Sequence, residues 1–403
     1  MKPLPRRRRT ASTVFLMLGC ALFTACDLQP TEPEPVATTS VVAGAFHGCW
    51  LSSAGEAFCW GDNGAGQVGA GSFQRQRVPA LVAGGLTFRA LEAGGFHSCG
   101  ATEDGAVHCW GGNGTGALGD ASTTGRSAPV LTTGGVAFEQ IDAGGLHTCG
   151  LTDEGVAYCW GFNGGGQAGV RVSGSICGGS PCFLTPTRLE SNLLFASLSA
   201  GLSHTCGITR DSVAYCWGSN QNGQLGNGVR TSVPQPVLVA GGLKFISVQA
   251  GGAHTCALTT EGVAYCWGLN HAGQLGTEES TETCGPLPCA TRPVPVQTMA
   301  RFHALTAGAD HTCGLTAEGA AYCWGRNDWG QLGNGTIVSE STPHPVSGGH
   351  RFLTISGGDS HTCATTTSGE AYCWGDNLLF QLGNGGVGIR RSTPSRVALP
   401  GSD

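Results

Sequence analysis

A His-x-Cys element recurs seven times in this 403-residue chain, with its histidines at His47, His97, His147, His204, His254, His311 and His361, so that successive copies lie 50 or 57 residues apart. A fixed period of that size is the mark of one supersecondary unit copied many times, each copy needing its neighbours to bury its apolar face. The copies run from about residue 38 to the end of the chain. One unit reads Phe138-Glu139-Gln140-Ile141-Asp142-Ala143-Gly144, then His147-Thr148-Cys149-Gly150-Leu151-Thr152, then Val156-Ala157-Tyr158-Cys159-Trp160-Gly161. Each run is short, carries strand-forming residues and is bounded by glycine. A fourth run gathers around proline, as in Pro234-Gln235-Pro236-Val237-Leu238-Val239.

Four short strands per unit of about 50 residues is what one propeller blade requires. A solenoid also stacks repeats, but it needs atypical caps at both ends, and here the first and last copies are nearly as regular as the others. The expected fold is therefore an all-β, seven-bladed β-propeller. We expect its last strand, around Pro394-Ser395-Arg396-Val397, to complete the blade begun by Ser40-Val41-Val42. The 68 glycines and 20 cysteines, beside only 12% charged residues, suit tight turns and covalent staples rather than long amphipathic helices.

In each copy one cysteine follows the histidine by two residues and a second comes ten later. The pairs are Cys49 with Cys59, Cys99 with Cys109, Cys149 with Cys159, Cys206 with Cys216, Cys256 with Cys266, Cys313 with Cys323 and Cys363 with Cys373. If Asp153-Glu154-Gly155 forms a three-residue hairpin loop, Thr152 faces Val156 and Cys149 faces Cys159 across the strands. Two copies carry a seven-residue excess, each with its own pair, Cys177 with Cys182 and Cys284 with Cys289. Paired thiols in an exported chain favour nine disulfides, one stapling each blade hairpin. Zinc is the weaker alternative, because one histidine and two cysteines per blade fall short of four converging ligands. No metal and no cofactor is expected.

Two stretches, Ala-Gly-x-x-His-Thr-Cys-x-Leu-Thr and then Gly-x-Ala-Tyr-Cys-Trp-Gly-x-Asn-x-x-Gly-Gln-Leu-Gly, stand most clearly at Ala250 to Gly276 and Ala307 to Gly333. This pattern resembles the repeats of the regulator of chromosome condensation family. The resemblance implies a seven-bladed propeller. By analogy it also brings exchange-type regulation of a small GTPase, and a similar secreted fold inhibits β-lactamases through one face rich in aromatics.

Residues 1 to 25 read as a signal peptide: Lys2 and Arg6 to Arg9 are basic, Ala11 to Leu22 is apolar, and Thr24-Ala25 offers a small-residue site. Leu22-Phe23-Thr24-Ala25-Cys26 resembles a bacterial lipobox, which would make Cys26 a lipidated first residue and anchor the protein to a membrane facing the periplasm or the cell surface. Ordinary secretion with cleavage nearby is the alternative. Residues 26 to 39, with Pro30, Glu32, Pro33, Glu34 and Pro35, would form an extended tether, leaving 40 to 403 for the propeller. Removing the five basic residues of the leader leaves 16 against 27 acidic residues, a balance of −11, and a single lysine, Lys244. Such a surface argues against a nucleic-acid partner.

Residues repeated in every copy are blade builders, so function belongs in the departures from the repeat. No phosphate loop, catalytic serine motif or paired carboxylates accompany the seven histidines, so an enzyme is not expected. The loop after Trp-Gly varies most, and equivalent loops of a ring share one face. That places Phe162, Leu269, His271, Arg326, Trp329, Leu379 and Phe380 on a candidate binding face of the aromatic, apolar and arginine character common at protein interfaces. The expected activity is non-enzymatic binding of a protein or cell-surface ligand by a monomeric propeller.

Overall fold

The structure, a computed structural model, describes residues 39–171, 175–278 and 282–401. Cys26 and the leader lie outside them. Seven antiparallel sheets follow one another along the chain, five of four strands and two of five. Blade 1 consists of Ser40–Ala43, His47–Leu51, Ala57–Gly61 and Gln76–Leu81, and blade 7 of Phe352–Gly357, His361–Thr366, Ala371–Asp376 and Arg390–Arg396. The two longer copies use their excess residues for a fifth strand: Ser175–Cys177 pairs with Ser180–Arg188 in blade 3, and Glu282–Cys284 with Leu287–Pro295 in blade 5. Disulfides from Cys177 to Cys182 and from Cys284 to Cys289 close these extra hairpins.

The stapled hairpin forms as expected. Thr152 donates its amide to the Val156 carbonyl at 3.0 Å, Gly155 takes a φ of +89°, and Cys149 stands directly opposite Cys159. The same facing pair is bonded in every blade. Cys49 joins Cys59, Cys99 joins Cys109 and Cys149 joins Cys159 in blades 1 to 3. Cys206 joins Cys216, Cys256 joins Cys266, Cys313 joins Cys323 and Cys363 joins Cys373 in blades 4 to 7. Their Cα separations are 4.0 to 4.1 Å, because each pair is held opposite by its own hairpin.

One residue on, Trp160 sits at a bulge where the register between the third and fourth strands shifts. Gly161 follows with a φ of +94°, and a Cβ there would meet the Leu146 carbonyl at 2.7 Å and His147 Cα at 2.8 Å, so only glycine lets the bulge form. Prolines such as Pro79, Pro129, Pro234 and Pro343 stand in the fourth strands, the outer edges, where a missing N–H discourages pairing with other chains.

The core is divided into layers between blades. Each layer packs one blade's disulfide against the next blade's tryptophan, as when Cys49 and Cys59 gather with Phe88, Leu91 and Trp110. A polar relay repeats in full at six of the seven junctions. Trp160 Nε1 and Thr148 Oγ1 both donate, at 2.9 Å, to the carbonyl of Ala117 in the preceding blade, and His97 of that blade donates from Nε2 to Thr148 Oγ1 at 2.8 Å. Because the acceptor is a main-chain oxygen, alanine at 117 serves as well as the glutamine found in the other copies.

Ring closure differs from the expectation. The last strand stays with its own blade, Cys373 facing Ser395, and the first strand stays with blade 1, Val42 facing Cys49. Blades 7 and 1 are joined by packing, with Val41 and Trp60 against Cys363, Leu382 and Val397. Three hydrogen bonds support the seam: Trp60 Nε1 to the Gln381 carbonyl at 2.8 Å, the Ala43 amide to Ser356 Oγ at 2.9 Å and the Gly385 amide to the Arg77 carbonyl at 3.1 Å. The register of each sheet is set by its own hairpins, so a chain-contiguous blade forms before any contact between the two ends of the chain is available.

The seam also lacks one link of the relay. Gly48 occupies the place of Ser98 or Thr148, and both ring nitrogens of buried His361 are left without a partner among the described residues. A missing histidine–hydroxyl bond and an unpaired ring nitrogen cost about 1–3 kcal/mol. We therefore expect amides of the seam strands Val41–Ala43 to exchange with solvent about tenfold faster than their equivalents in blades 3 and 4. Native-state hydrogen exchange read by mass spectrometry checks this, and equal protection at all seven junctions would contradict it.

Candidate functional site

In an up-and-down four-stranded sheet the first and third connections lie at the same end, so the Ala-Gly-x-x-His turn and the Trp-Gly loop of every blade share one face. Hydrogen bonds tie the two together: Phe162 donates its amide to Leu146, Arg326 to Asp310 and Asp376 to Ser360, each at 2.9 Å. Within the loop, Asn163 accepts from the Ala168 amide and donates to the Val170 carbonyl, both at 2.9 Å, which explains the recurring Asn as a loop organiser.

Three concentric rings result. The innermost holds the first variable residue after Ala-Gly and lines a channel of about 80 Å³ along the propeller axis. Ala45, Gly95, Gly145, Gly252 and Ala309 are small there, whereas blade 4 supplies Leu202 and blade 7 supplies Asp359. Main-chain bonds circle the channel, for example from Gly95 to the Gly144 carbonyl at 3.0 Å and from Gly145 to the Gly201 carbonyl at 3.1 Å. The second ring reads Phe46, Phe96, Leu146, Ser203, Ala253, Asp310 and Ser360, and the third Asp62, Gly112, Phe162, Ser219, Leu269, Arg326 and Asp376.

The rings divide the face by chemistry. Phe46 and Phe96 touch with ring centroids 5.7 Å apart, and Phe96, Leu146 and Leu202 are 43%, 38% and 44% exposed, forming an apolar crescent over blades 1 to 4. Opposite it lies a charged arc. Arg326 donates from Nε to Asp328 at 2.7 Å and stands 3.5 Å from Asp310, while His271 Nε2 is 3.9 Å from the same carboxylate. The hydrogen bond to Asp328 holds the Arg326 guanidinium above its ordinary pKa. Burial and the neighbouring Asp310 and Asp376 charges raise the Asp359 carboxyl despite the opposing effect of Arg326, and burial likewise raises Asp376.

Of the seven residues expected on this face, His271 of blade 5 and Arg326 of blade 6 both approach Asp310, Trp329 stands on the same loop as Arg326, and half-buried Phe162 is tied to Leu146 of the crescent through its amide hydrogen bond. Leu269 is buried and offers little surface. Leu379 is half-buried in the blade 7 loop, its amide bound to Gln381 Oε1 at 2.8 Å. Phe380 has a φ of +65°, at a position where the other blades have glycine, and its ring lies under Arg77 of blade 1 at 4.7 Å. It thus fastens the seam. Phe46, Phe96, Leu146, Leu202, Asp310 and Asp359 were not singled out by sequence. The two variable positions inside Ala-Gly-x-x-His were the available signal.

Six of the seven histidines are engaged in the relay, and all seven are fully buried, which lowers their pKa to about 3 or 4. A half-buried pair of carboxyls stands beside the channel-lining residues Ala93 and Ala143. Glu92 and Asp142 sit on the first strands of blades 2 and 3, and burial raises both carboxyls, Asp142 to about 7 even though Ala200 and Ser199 donate to it. A carboxyl raised in the fold stabilises least when ionised, so this contribution is lost as pH rises from about 4 through 7. Asp142→Asn is therefore expected to raise Tm by about 3 °C at pH 8 and to change it little at pH 4, as calorimetry would read.

The geometry defines a seven-bladed propeller with one chemically patterned face. The chain belongs to the RCC1-like family: the RCC1-like domain matches residues 173–402, and regulator of chromosome condensation (RCC1) repeats match 39–67, 88–117 and 138–167 in one description and 54–101 and 104–151 in another. Among solved structures, the RCC1 protein Prp20 of yeast, crystallised bound to Kap60, is 24% identical, with 86% of this chain and 84% of that one covered and a TM-score of 0.73. Human WBSCR16 is 21% identical over 86% and 94%, with a TM-score of 0.77. The CRINKLY ectodomain of the Arabidopsis thaliana receptor kinase ACR4 is 21% identical over 84% and 96%, with a TM-score of 0.53. These likenesses establish the fold.

Proposed function

We propose that this protein is an exported, lipid-anchored, non-enzymatic recognition module that binds a protein partner through the face around its channel mouth. The observation that carries the reading is the crescent of exposed Phe96, Leu146 and Leu202, with half-buried Phe46 against Phe96, on a stapled ring. Buried blade interfaces use their apolar residues internally, so exposed aromatic and leucine side chains side by side are the kind of patch that partners cover. Protein binding is recorded for similar propellers: a yeast relative is described bound to Kap60 and by its binding to Gsp1p and histones. Nine disulfides and the lipobox-like Cys26 support an oxidising compartment outside the cytoplasm. Exchange on a GTPase and inhibition of a hydrolase are particular cases that the identity of the partner separates.

Site-specific photo-cross-linking tests the reading. A cross-linker at position 96 or 202, in protein displayed on its native membrane, is expected to trap a discrete partner, while one at position 154, on the opposite hairpin turns, traps none. Capture from 154 and none from 96 or 202 would reject the proposed face.

A further inference from the structure

Resting on that reading, we propose that the partner presents a lysine or arginine side chain to the channel mouth, flanked by apolar side chains that cover the crescent. Three observations lead there. Asp359 is the one charged residue lining the mouth, it is half-buried, and it has no ion-pair partner among the described residues. The nearest cation, Arg326, is engaged by Asp328 and Asp310 and does not close on Asp359. Asp310 and Asp376 add to the negative potential there, and burial together with these charges raises the Asp359 carboxyl. A half-buried carboxylate without an ion-pair partner gains from an incoming ammonium or guanidinium, because partial removal from water strengthens that attraction.

The apolar crescent sets the rest of the partner's chemistry. Leu202 and Asp359 come from blades 4 and 7, nearly across the channel, and Phe46, Phe96 and Leu146 extend the apolar side outward. A segment crossing the mouth therefore meets carboxylates on one flank and aromatic or leucine side chains on the other. Only a segment that pairs a basic residue with adjacent apolar ones satisfies both. The small first-ring residues Ala45, Gly95, Gly145, Gly252 and Ala309 leave the entrance open for a long, thin side chain such as lysine or arginine.

The test uses the full mature chain and an array of synthetic twelve-residue peptides with Lys, Arg, Gln or Glu at the centre and varied flanks. We expect Lys- and Arg-centred peptides with Leu or Phe flanks to bind at least tenfold better than the Gln series, an advantage that shrinks as salt is raised. Asp359→Asn should abolish that preference, and Phe96→Ser should remove the preference for apolar flanks, with near-UV circular dichroism confirming that both variants are folded. Equal binding of the Lys and Gln series, an unchanged preference in Asp359→Asn, or no binding by any peptide would overturn this inference. In the first two cases the face reading survives if Phe96→Ser still weakens binding, and in the third if the photo-cross-links form from position 96 or 202.

Discussion

Acidification is expected to unfold this propeller in one steep step with a midpoint near pH 5. Seven histidines are buried and neutral, with desolvation holding His47, His147, His204, His254 and His361 at about 3 and His97 and His311 at about 4. In the unfolded chain each titrates near 6.5. A depressed pKa supplies stability that is fully present above 6.5 and is lost as pH falls toward the folded value. Each histidine contributes about 1.4 kcal/mol per pH unit in that window, so seven together reach about 10 kcal/mol per unit, against a whole-domain stability of about 5–15 kcal/mol. The raised carboxyls of Glu92, Asp142, Asp359 and Asp376 work in the opposite direction and moderate the slope. Potentiometric titration through the transition should record a net uptake of about five protons, the seven taken up by the histidines less about two released by Glu92 and Asp142. A fold that persists below pH 3.5, or an uptake of two or fewer, would mean that the rings are not buried as neutral groups.

Gly144→Ala is expected to cost about 3–5 kcal/mol and lower Tm by about 10 °C. A Cβ at 144 would stand 2.5 Å from the Gly201 carbonyl and 2.5 Å from His147 Cε1. Neither neighbour is free to yield: the Gly201 carbonyl accepts the Gly145 amide at 3.1 Å, and His147 Nε2 is bound to Thr205 Oγ1 at 2.9 Å. The clash thus falls on the closest approach of two blades, where a ring cannot widen at one junction without straining the others. Gly134→Ala supplies the comparison. Gly134 has a φ of +97° but nothing within 4 Å of its Cβ direction, so it should lose only about 1 kcal/mol from backbone strain. Thermal melts of the two variants separate crowding from conformation, and equal losses would remove crowding as the cause.

The candidate face was legible in part. The Trp-Gly loops share one face, and His271 and Arg326 both approach Asp310 there with Trp329 on the same loop as Arg326, because equivalent positions of a repeat must fall on equivalent parts of a ring. Phe380 and Leu269 show the limit of that argument. Phe380 departs from the repeat just as Arg326 does, but the cause of its departure lies in Arg77, at the far end of the chain, and pattern alone does not reveal a partner at that distance. Phe46, Phe96 and Asp359 look like spacers between Ala-Gly and His until the ring sets them around a common opening.

What the sequence determined by itself was everything with a short span. The strands, the hairpin turn at Gly155, the facing of Cys149 and Cys159 and the number of blades all follow from periodicity and turn chemistry within about fifty residues. Only the tertiary structure decided how the ring closes, that His361 lacks the hydroxyl its six counterparts have, and which variable residues form the crescent and the charged arc. These depend on contacts between residues far apart in the chain. Such contacts are selected by packing and desolvation after each blade has formed, so they leave no period for the sequence to show.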